Sequence, residues 1–272
     1  MLAFVHIEKC GGTTFNRTLR RLYCRDHFDI IPRDPEALLA GPNDLRHLLH
    51  MRPQARSMAG HSVRLQCGFE AVVPAIAYVT MLRDPIKRYI SDFQHFVDIV
   101  NFPADIEAWL ARQDRQNFQT RAIAGCENLE RAKQLLEERF QLVGMVEQYD
   151  FFLARLANLL CCDPISLWYQ VVNRAADRRV RKPLPDLARY EEQIRWNNRY
   201  DIQLYQFAAT LQGKYKRVPE TFSLAAAKPS AQARYTARAR QYVHLAYRNL
   251  VYKPSVGRLP VPHYLKTYRS VS

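Results

Sequence analysis

The chain has 272 residues, 48% of them hydrophobic, and its 40 lysines and arginines outnumber 26 aspartates and glutamates to give a formal net charge of +14. This apolar content supports a sizeable core and excludes a disordered chain, and the length fits one large domain. The basic surplus favours anionic partners such as nucleotides, nucleic acid, acidic glycans or membrane surfaces, without choosing among them.

The sequence also argues against a membrane span, a secretory signal and a metal site. No run of about 18 apolar residues occurs, and the short apolar start of the chain is followed at once by a charged loop. The six cysteines include no CxxC pair, so neither a zinc site nor a disulfide framework is expected. Reduced thiols in a cytosolic protein are the simplest interpretation.

Short apolar runs alternate with amphipathic helical patterns along the first part of the chain. Strands are predicted at residues 2–7, 28–31, 57–60, 75–82 and 140–146. Helices are predicted to begin with Thr13 as N-cap and with Asp84 before Pro85, and to span residues 127–139, 150–160 and 187–211. This alternation is typical of an α/β fold with a central parallel sheet.

The last third of the chain has no clear strand pattern. From about residue 225 it is rich in Arg, Lys and Tyr, with Pro254, Pro260 and Pro262 near its end. It is predicted to form a helix followed by an extended basic tail. Because no linker divides the chain, we expect one domain over residues 1–272, with the α/β core and its helices at about 1–213 and the basic tail at about 214–272.

The loop after the first strand has the composition of an anion cradle. It runs Lys9-Cys10-Gly11-Gly12-Thr13-Thr14 and opens a helix. Backbone N–H groups in a tight glycine turn, the helix N-terminus, the two threonine hydroxyls and the lysine charge all attract an anion. The loop departs from the ATP-binding P-loop, because its lysine precedes the glycines and no glycine lies upstream. A plain glycine turn joining a strand to a helix would give the same pattern.

A second cluster of candidate phosphate ligands follows the fourth predicted strand. Arg83 lies where that strand ends, and Ser91 lies two turns into the next helix. An arginine grips a phosphate with two parallel N–H bonds, and a serine adds a hydroxyl donor. In the alternative, Asp84 and Pro85 merely start a helix and the arginines are solvated, which is what we expect for Arg88.

Together, the two segments resemble the PAPS-dependent sulfotransferases, where PAPS is 3′-phosphoadenosine 5′-phosphosulfate. The first is similar to the family pattern HI.KTGGTTF and the second to LRDP..RY.S, in the carbohydrate branch that contains the heparan sulfate 6-O- and 2-O-sulfotransferases and bacterial relatives. Weaker similarities lie at residues 117–121, 143–150 and 197–205. The resemblance implies a three-layer α/β core like that of the P-loop kinases, with a central parallel sheet and a helical C-terminal part.

The resemblance also implies roles for individual residues. The loop from Lys9 to Thr14 would bind the 5′-phosphosulfate of PAPS, and Arg83 and Ser91 would bind the 3′-phosphate. Gln119 and Arg121 would touch the donor or an acidic acceptor, although a solvated helix face is an equal alternative for both. No metal is expected. The tryptophans are expected in the core, namely Trp109, Trp168 and Trp196.

Sulfuryl transfer needs cationic stabilisation of the leaving group and a base for the acceptor hydroxyl. We assign the first task to Lys9. For the base we favour His61, because it follows a short apolar segment and a glycine, because the resembling family often places a histidine in this interval, and because imidazole accepts a proton near neutral pH. A loop or packing histidine is the alternative. His6 is expected to shape the loop and His95 to line the acceptor site.

The expected function is therefore transfer of a sulfuryl group from PAPS to a hydroxyl of a glycan or small metabolite. Two alternatives remain open: a P-loop-like kinase or nucleotide hydrolase, and a non-catalytic protein that binds nucleic acid or another polyanion through the basic segment 234–269. We expect a cytoplasmic, bacterial enzyme, or a Golgi enzyme only if the chain is part of a longer one.

Overall fold

The computed structural model of the protein describes residues 1–169, 182–215 and 231–255. At its centre is a five-stranded, fully parallel sheet with the strand order β2-β3-β1-β4-β5. The strands are β1 (Leu2–Val5), β2 (His27–Asp29), β3 (Ser57–Gly60), β4 (Ala77–Leu82) and β5 (Phe140–Met145). The five predicted strands and the predicted parallel sheet are therefore confirmed.

Helices fill the connections between the strands and most of the described residues after β5. They are α1 (Gly12–Tyr23), α2 (Pro42–Met51), α3 (Pro85–His95), α4 (Ile106–Leu110), α5 (Phe118–Ala124), α6 (Leu129–Glu138), α7 (Tyr149–Leu160), α8 (Glu191–Asn197), α9 (Arg199–Leu211), α10 (Ala231–Tyr247) and α11 (Lys253–Ser255). The single helix predicted at 187–211 is divided into α8 and α9 at Asn198.

The sheet is covered on both faces, which gives three layers. Side chains alternate along β1, so that Ala3 and Val5 join one core cluster while Leu2 and Phe4 join the other. Helices α2, α6 and α9 pack on the first face, and α1 and α7 pack on the second. Burial on both faces explains why the strands read as continuous apolar runs.

A smaller aromatic core lies under α3. Trp109 of α4 is completely buried there, and its ring lies 5.3 Å from the ring centroid of Phe93 and 5.0 Å from that of Phe96. The core position predicted for Trp109 is confirmed. For Trp196 that prediction is wrong, because 64% of the side chain is exposed and the guanidinium of Arg199 lies over its ring instead of core residues.

The starts of α1 and α3 show one correct and one wrong cap prediction. The Asp84 carboxylate accepts the N–H of Lys87 at 2.9 Å, and Pro85 is the first residue of α3, as predicted. Thr13 is not the N-cap of α1. Gly11 takes that place in a left-handed conformation with φ 73°, and Thr13 lies exposed in the first turn.

Part of the predicted basic tail packs against the core. Helix α10 lies against α1, and the Tyr252 hydroxyl accepts the N–H of Ile31 at 3.3 Å. Within the described residues, no strand follows β5. Pro260 and Pro262, and most of the segment predicted to be extended, lie outside them. None of the described helices has both the length and the hydropathy needed to cross a membrane.

Candidate active site

The predicted site residues gather at one edge of the sheet. Val5 is in register with Gly60 of β3 and with Thr80 of β4. Because the three strands are parallel, the segments that follow them leave the sheet at the same edge, which is where ligands bind in open α/β sheets. These segments contain the loop from His6 onward after β1, His61 after β3 and Arg83 after β4.

The loop after β1 turns twice through left-handed backbone. Lys9 has φ 66° and Gly11 has φ 73°, a conformation that is costly for a side chain-bearing residue and easy for glycine. The N–H of Cys10 bonds back to the carbonyl of Ile7 at 3.3 Å, and the N–H of Thr14 bonds to the carbonyl of Gly11 at 3.1 Å. The first N–H groups of α1 have no acceptor within the helix, so the turn presents backbone donors next to the positive end of a helix dipole.

Position 12 must be a glycine because the ring of His6 occupies the space of a side chain there. A Cβ atom at this position would lie 1.9 Å from the ring of His6, so any side chain would displace the imidazole. The His6 ring in turn stacks on the ring of His61, with 4.0 Å between centroids and 30° between planes. The second glycine of the loop therefore makes room for a histidine pair, a reason that the sequence does not reveal.

His61 is held neutral beside the loop. It follows Gly60, which has a φ of 155° and where a Cβ atom would lie 3.1 Å from the carbonyl oxygen of Ile30. Burial lowers the pKa of His61 below its ordinary value, and the nearby charge of Glu8 only partly opposes the shift. Its Nδ1 is buried and has no hydrogen-bond partner among the described residues. A neutral imidazole with one unpaired ring nitrogen can accept a proton.

Arg83 contacts the loop directly. Its Nη1 donates to the carbonyl of Lys9 at 3.0 Å, and its side chain is half-buried. This hydrogen bond joins the ends of β1 and β4. Ser91 is half-buried in the second turn of α3, so both predicted 3′-phosphate ligands keep exposed surface.

A buried chain of charges runs behind the loop, and it corrects the prediction for Arg88. Arg115 lies 3.3 Å from the carboxylate of Glu8 and 3.6 Å from that of Asp92, which also pairs with Arg88 at 3.3 Å. Arg88 is completely buried, with its guanidinium over the ring of Phe118, and is not solvated as predicted. The carboxylate one turn ahead compensates its charge, which makes the burial tolerable.

Gln119 is buried as well, so that the alternative of a solvated face is wrong for it. Its side-chain amide accepts the N–H of Arg83 and donates to the carbonyl of the same residue, both at 2.9 Å. The thiol of Cys10 donates to the same amide oxygen at 3.4 Å. Arg121, on the same helix, is half-exposed and bonds to Glu127 and to the carbonyl of Gln113, both at 3.3 Å.

Asp201 of α9 fixes the start of α5. Its carboxylate accepts the N–H groups of Gln119 at 2.9 Å and of Thr120 at 2.7 Å. Asn117 returns the contact, because its side-chain oxygen accepts the N–H of Tyr200 at 2.9 Å. The two segments that carry the weaker similarities, at 117–121 and 197–205, thus form one unit beneath the site.

A second histidine cluster lies on the neighbouring strand β2, which begins at His27 and pairs it with Ser57 at the start of β3. The ring nitrogens of His27 contact the hydroxyl of Ser57 and the side-chain oxygen of Asn16, both at 2.7 Å. Asp29 accepts from Asn16 and pairs with Arg20, both at 2.5 Å, and His244 of α10 lies 3.7 Å away. Burial lowers the pKa of His27 to about 4.

The thiols and carboxylates near the site offer no metal centre. The described residues contain no group of three or more His, Cys, Asp or Glu side chains that could hold a metal ion. Burial raises the pKa of the Cys10 thiol to about 12, so this loop residue stays protonated and acts as a hydrogen-bond donor, not as a nucleophile. All six cysteines are free.

The sequence interpretation missed the supporting residues. Glu8, Asp92, Arg115 and Asp201 carry no catalytic pattern, and their pairings join positions up to 107 residues apart. Only the weak similarities around Asn117 and Asp201 hinted at them.

A parallel α/β sheet with a glycine turn that opens a helix after its first strand defines a broad class of α/β proteins, and comparison with known families makes the class specific. A family model described as the sulfotransferase family matches residues 1–249. The chain therefore belongs to the sulfotransferase family.

Curated relatives agree over a shorter stretch. The chain is 30% identical over 115 residues to heparan-sulfate 6-O-sulfotransferase 3-B of Danio rerio and 29% identical over 118 residues to heparan-sulfate 6-O-sulfotransferase 3 of Homo sapiens. These matches cover 35% of this chain, and 26% and 24% of the two relatives. The chain thus spans about a quarter of the length of the relatives that it matches.

Proposed function

We propose that the protein transfers a sulfuryl group from PAPS to an acceptor hydroxyl. Membership of the sulfotransferase family supports the reaction class. The observation that carries the choice of donor is the hydrogen bond from Arg83 Nη1 to the carbonyl of Lys9. It joins the proposed anion-binding loop to Arg83, the proposed second phosphate ligand, at the end of the neighbouring strand β4, and a donor with both a 5′- and a 3′-phosphate needs two such subsites.

The residues divide between these two subsites. Lys9 and the turn Cys10-Gly11-Gly12-Thr13-Thr14 would hold the 5′-phosphosulfate, and Arg83 and Ser91 would hold the 3′-phosphate. Arg121 is proposed as an outer donor contact, for which it must leave Glu127. The helix that opens after a loop on the central strand β1 also supports the proposed likeness to P-loop kinases.

In the proposed reaction, the acceptor oxygen forms a bond to sulfur as the bond from sulfur to the bridging oxygen of the 5′-phosphate breaks. His61 takes the hydroxyl proton on a ring nitrogen, and PAP (3′-phosphoadenosine 5′-phosphate) leaves. The lowered pKa of His61 keeps it unprotonated at neutral pH, as a base must be. Lys9 stabilises negative charge that develops on the leaving phosphate oxygen. These roles require no metal.

A glycan is the acceptor class that the relatives favour, since their names specify heparan sulfate. The net charge of +14 would also suit an acidic polymer. A small metabolite with a hydroxyl is the other acceptor that we propose to test.

Calorimetry in EDTA with PAP, and in magnesium with ATP, tests the donor. The wild-type protein should bind PAP without metal, and Arg83→Ala should weaken PAP binding by about tenfold to a hundredfold, the range for a lost charged hydrogen-bond pair. Arg139→Ala is the matched control, because Arg139 pairs with Glu70 and is remote from both motifs. A preference for Mg-ATP over PAP would contradict the proposal and favour a kinase.

A further inference from the structure

The side chain of Gln119 makes hydrogen bonds that the proposed roles of the site residues do not explain. Arg83 is the first residue after β4, so its backbone N–H and carbonyl lie beyond the strand and need new partners. The Gln119 amide supplies both at 2.9 Å, in the way that a neighbouring strand would. The backbone that carries the proposed 3′-phosphate ligand is therefore oriented by one side chain.

The same amide also reaches the other subsite. Its oxygen accepts the thiol of Cys10 at 3.4 Å, and Arg83 Nη1 donates to the carbonyl of Lys9 at 3.0 Å. Since Lys9 and Cys10 are consecutive, these bonds close a ring through Lys9, Cys10, Gln119 and Arg83. A shift of the loop must move Arg83, and a shift of Arg83 must move the loop.

The side-chain amide of Gln119 is held in a fixed position. Gln119 is completely buried, and its backbone N–H is held by the Asp201 carboxylate at 2.9 Å. Cys10 remains a thiol donor because burial raises its pKa to about 12. A buried hydrogen-bond network of this kind is rigid, and a rigid network couples the groups at its ends.

We propose that Gln119 is a positioning residue that couples the two phosphate subsites, so that occupation of one prepares the other. This inference rests on the proposed function. The resemblance implied that Gln119 would touch the donor or an acidic acceptor, whereas its amide hydrogen-bonds to the backbone of Arg83 and to the thiol of Cys10. The inference therefore goes beyond the proposed function. Coupling of this kind appears as an affinity for a two-phosphate ligand that exceeds what the separate phosphates explain.

The test compares PAP with 5′-AMP and 3′-AMP, which carry one phosphate each. For Gln119→Met, which keeps the length and loses the polar atoms, we expect the two ratios Kd(5′-AMP)/Kd(PAP) and Kd(3′-AMP)/Kd(PAP) each to fall about tenfold, a usual size for coupling between contacting groups. The affinities for 5′-AMP and 3′-AMP themselves should change little. Gln119→Glu keeps the acceptor oxygen and the shape, and should lower both ratios in the same direction if Gln119→Met does not fold.

Gln212→Met is the matched control. Its side-chain amide donates to the carbonyls of Val143 and Ala208, away from both motifs. We expect it to lower thermal stability and keep both ratios. A merely structural role for Gln119 predicts the same pattern for its variants, so that unchanged ratios in folded Gln119→Met or Gln119→Glu protein would overturn the inference. If wild-type protein does not prefer PAP to either single-phosphate ligand, the proposed function itself is wrong.

Discussion

The histidines of the two clusters, His61 after the end of β3 and His27 at the start of β2, have opposite surroundings. His27, the first residue of β2, uses both ring nitrogens to contact Ser57 and Asn16 and lies beside Asp29. His61, after the adjacent strand β3, stacks on His6 and keeps Nδ1 without a partner among the described residues. Burial lowers the pKa of both, so neutrality alone does not identify a base. The position of His61 beside the loop after β1 is what favours it as the proposed base.

The largest loss of kcat should come from removing the proposed base, His61. His61→Asn removes the proposed proton acceptor, and loss of a general base costs about 10²- to 10⁴-fold in kcat. PAP affinity should be retained, because His61 is not a phosphate ligand. The measurement is turnover of labelled PAPS with the best acceptor, together with calorimetry of PAP.

His27→Asn is the matched control for this prediction. It changes a more deeply buried histidine on the neighbouring strand, and should lower stability while kcat per folded molecule stays close to wild type. Equal losses of kcat in the two variants would abolish the distinction between the clusters.

A smaller loss of kcat should follow from displacing the stacked rings of His6 and His61. In Gly12→Ala the new methyl group displaces His6 and with it the stacked His61, so that kcat should fall by about tenfold to a hundredfold, the cost of a misplaced catalytic group. Gly11→Ala separates this effect from backbone strain. There the new Cβ meets its nearest atom at 3.4 Å, and the penalty is the left-handed φ, about 1–2 kcal/mol of stability. A larger kcat loss in Gly11→Ala than in Gly12→Ala would contradict the steric account.

The second cluster should be visible in the pH dependence of stability. The pKa of His27 is about 4 in the folded protein and about 6.5 in an unfolded chain, so the unfolded state binds more protons between these values. The contribution of His27 is fully present above about pH 6.5 and is lost as the pH falls toward 4. The free energy of unfolding, measured with urea at several pH values in this window, should change less steeply with pH for His27→Asn than for wild type. Identical slopes would show that His27 is not held neutral by the fold.

The smallest expected effect concerns α10. His244 Nδ1 contacts the carbonyl of Cys24 at 3.1 Å, and its Nε2 lies 3.7 Å from Asp29. His244→Leu should lower the free energy of unfolding by about 1 kcal/mol, the usual net value of one hydrogen bond, and speed hydrogen exchange in α10. It should leave kcat unchanged. A kcat loss comparable with that of His61→Asn would bring the second cluster into the active site.

The sequence predicted the sheet well because its strands obey local rules. Short apolar runs marked the strands, most strongly at β4 and most weakly at β3, and the loop and Arg83 were visible because their chemistry lies in consecutive residues. What could not be predicted depends on contacts between distant residues. The burial of Arg88 needs Asp92 and Phe118, and the role of Gly12 needs the ring of His6.

The cap of α1 failed for a related reason. Thr13 has a good side chain for an N-cap, but the left-handed turn that shapes the loop can be made cheaply only by Gly11, which therefore begins the helix. Local propensity was overridden by the geometry of the loop. Such conflicts between local preference and observed conformation concentrate at functional sites.

A crystal structure of the protein with PAP would test the central claim most directly. The account predicts the 5′-phosphate on the turn from Lys9 to Thr14, the 3′-phosphate at Arg83 and Ser91, and His61 facing the side from which an acceptor hydroxyl approaches the 5′ end. A 3′-phosphate bound away from Arg83, or PAP bound outside the carboxyl edge of the sheet, would contradict it.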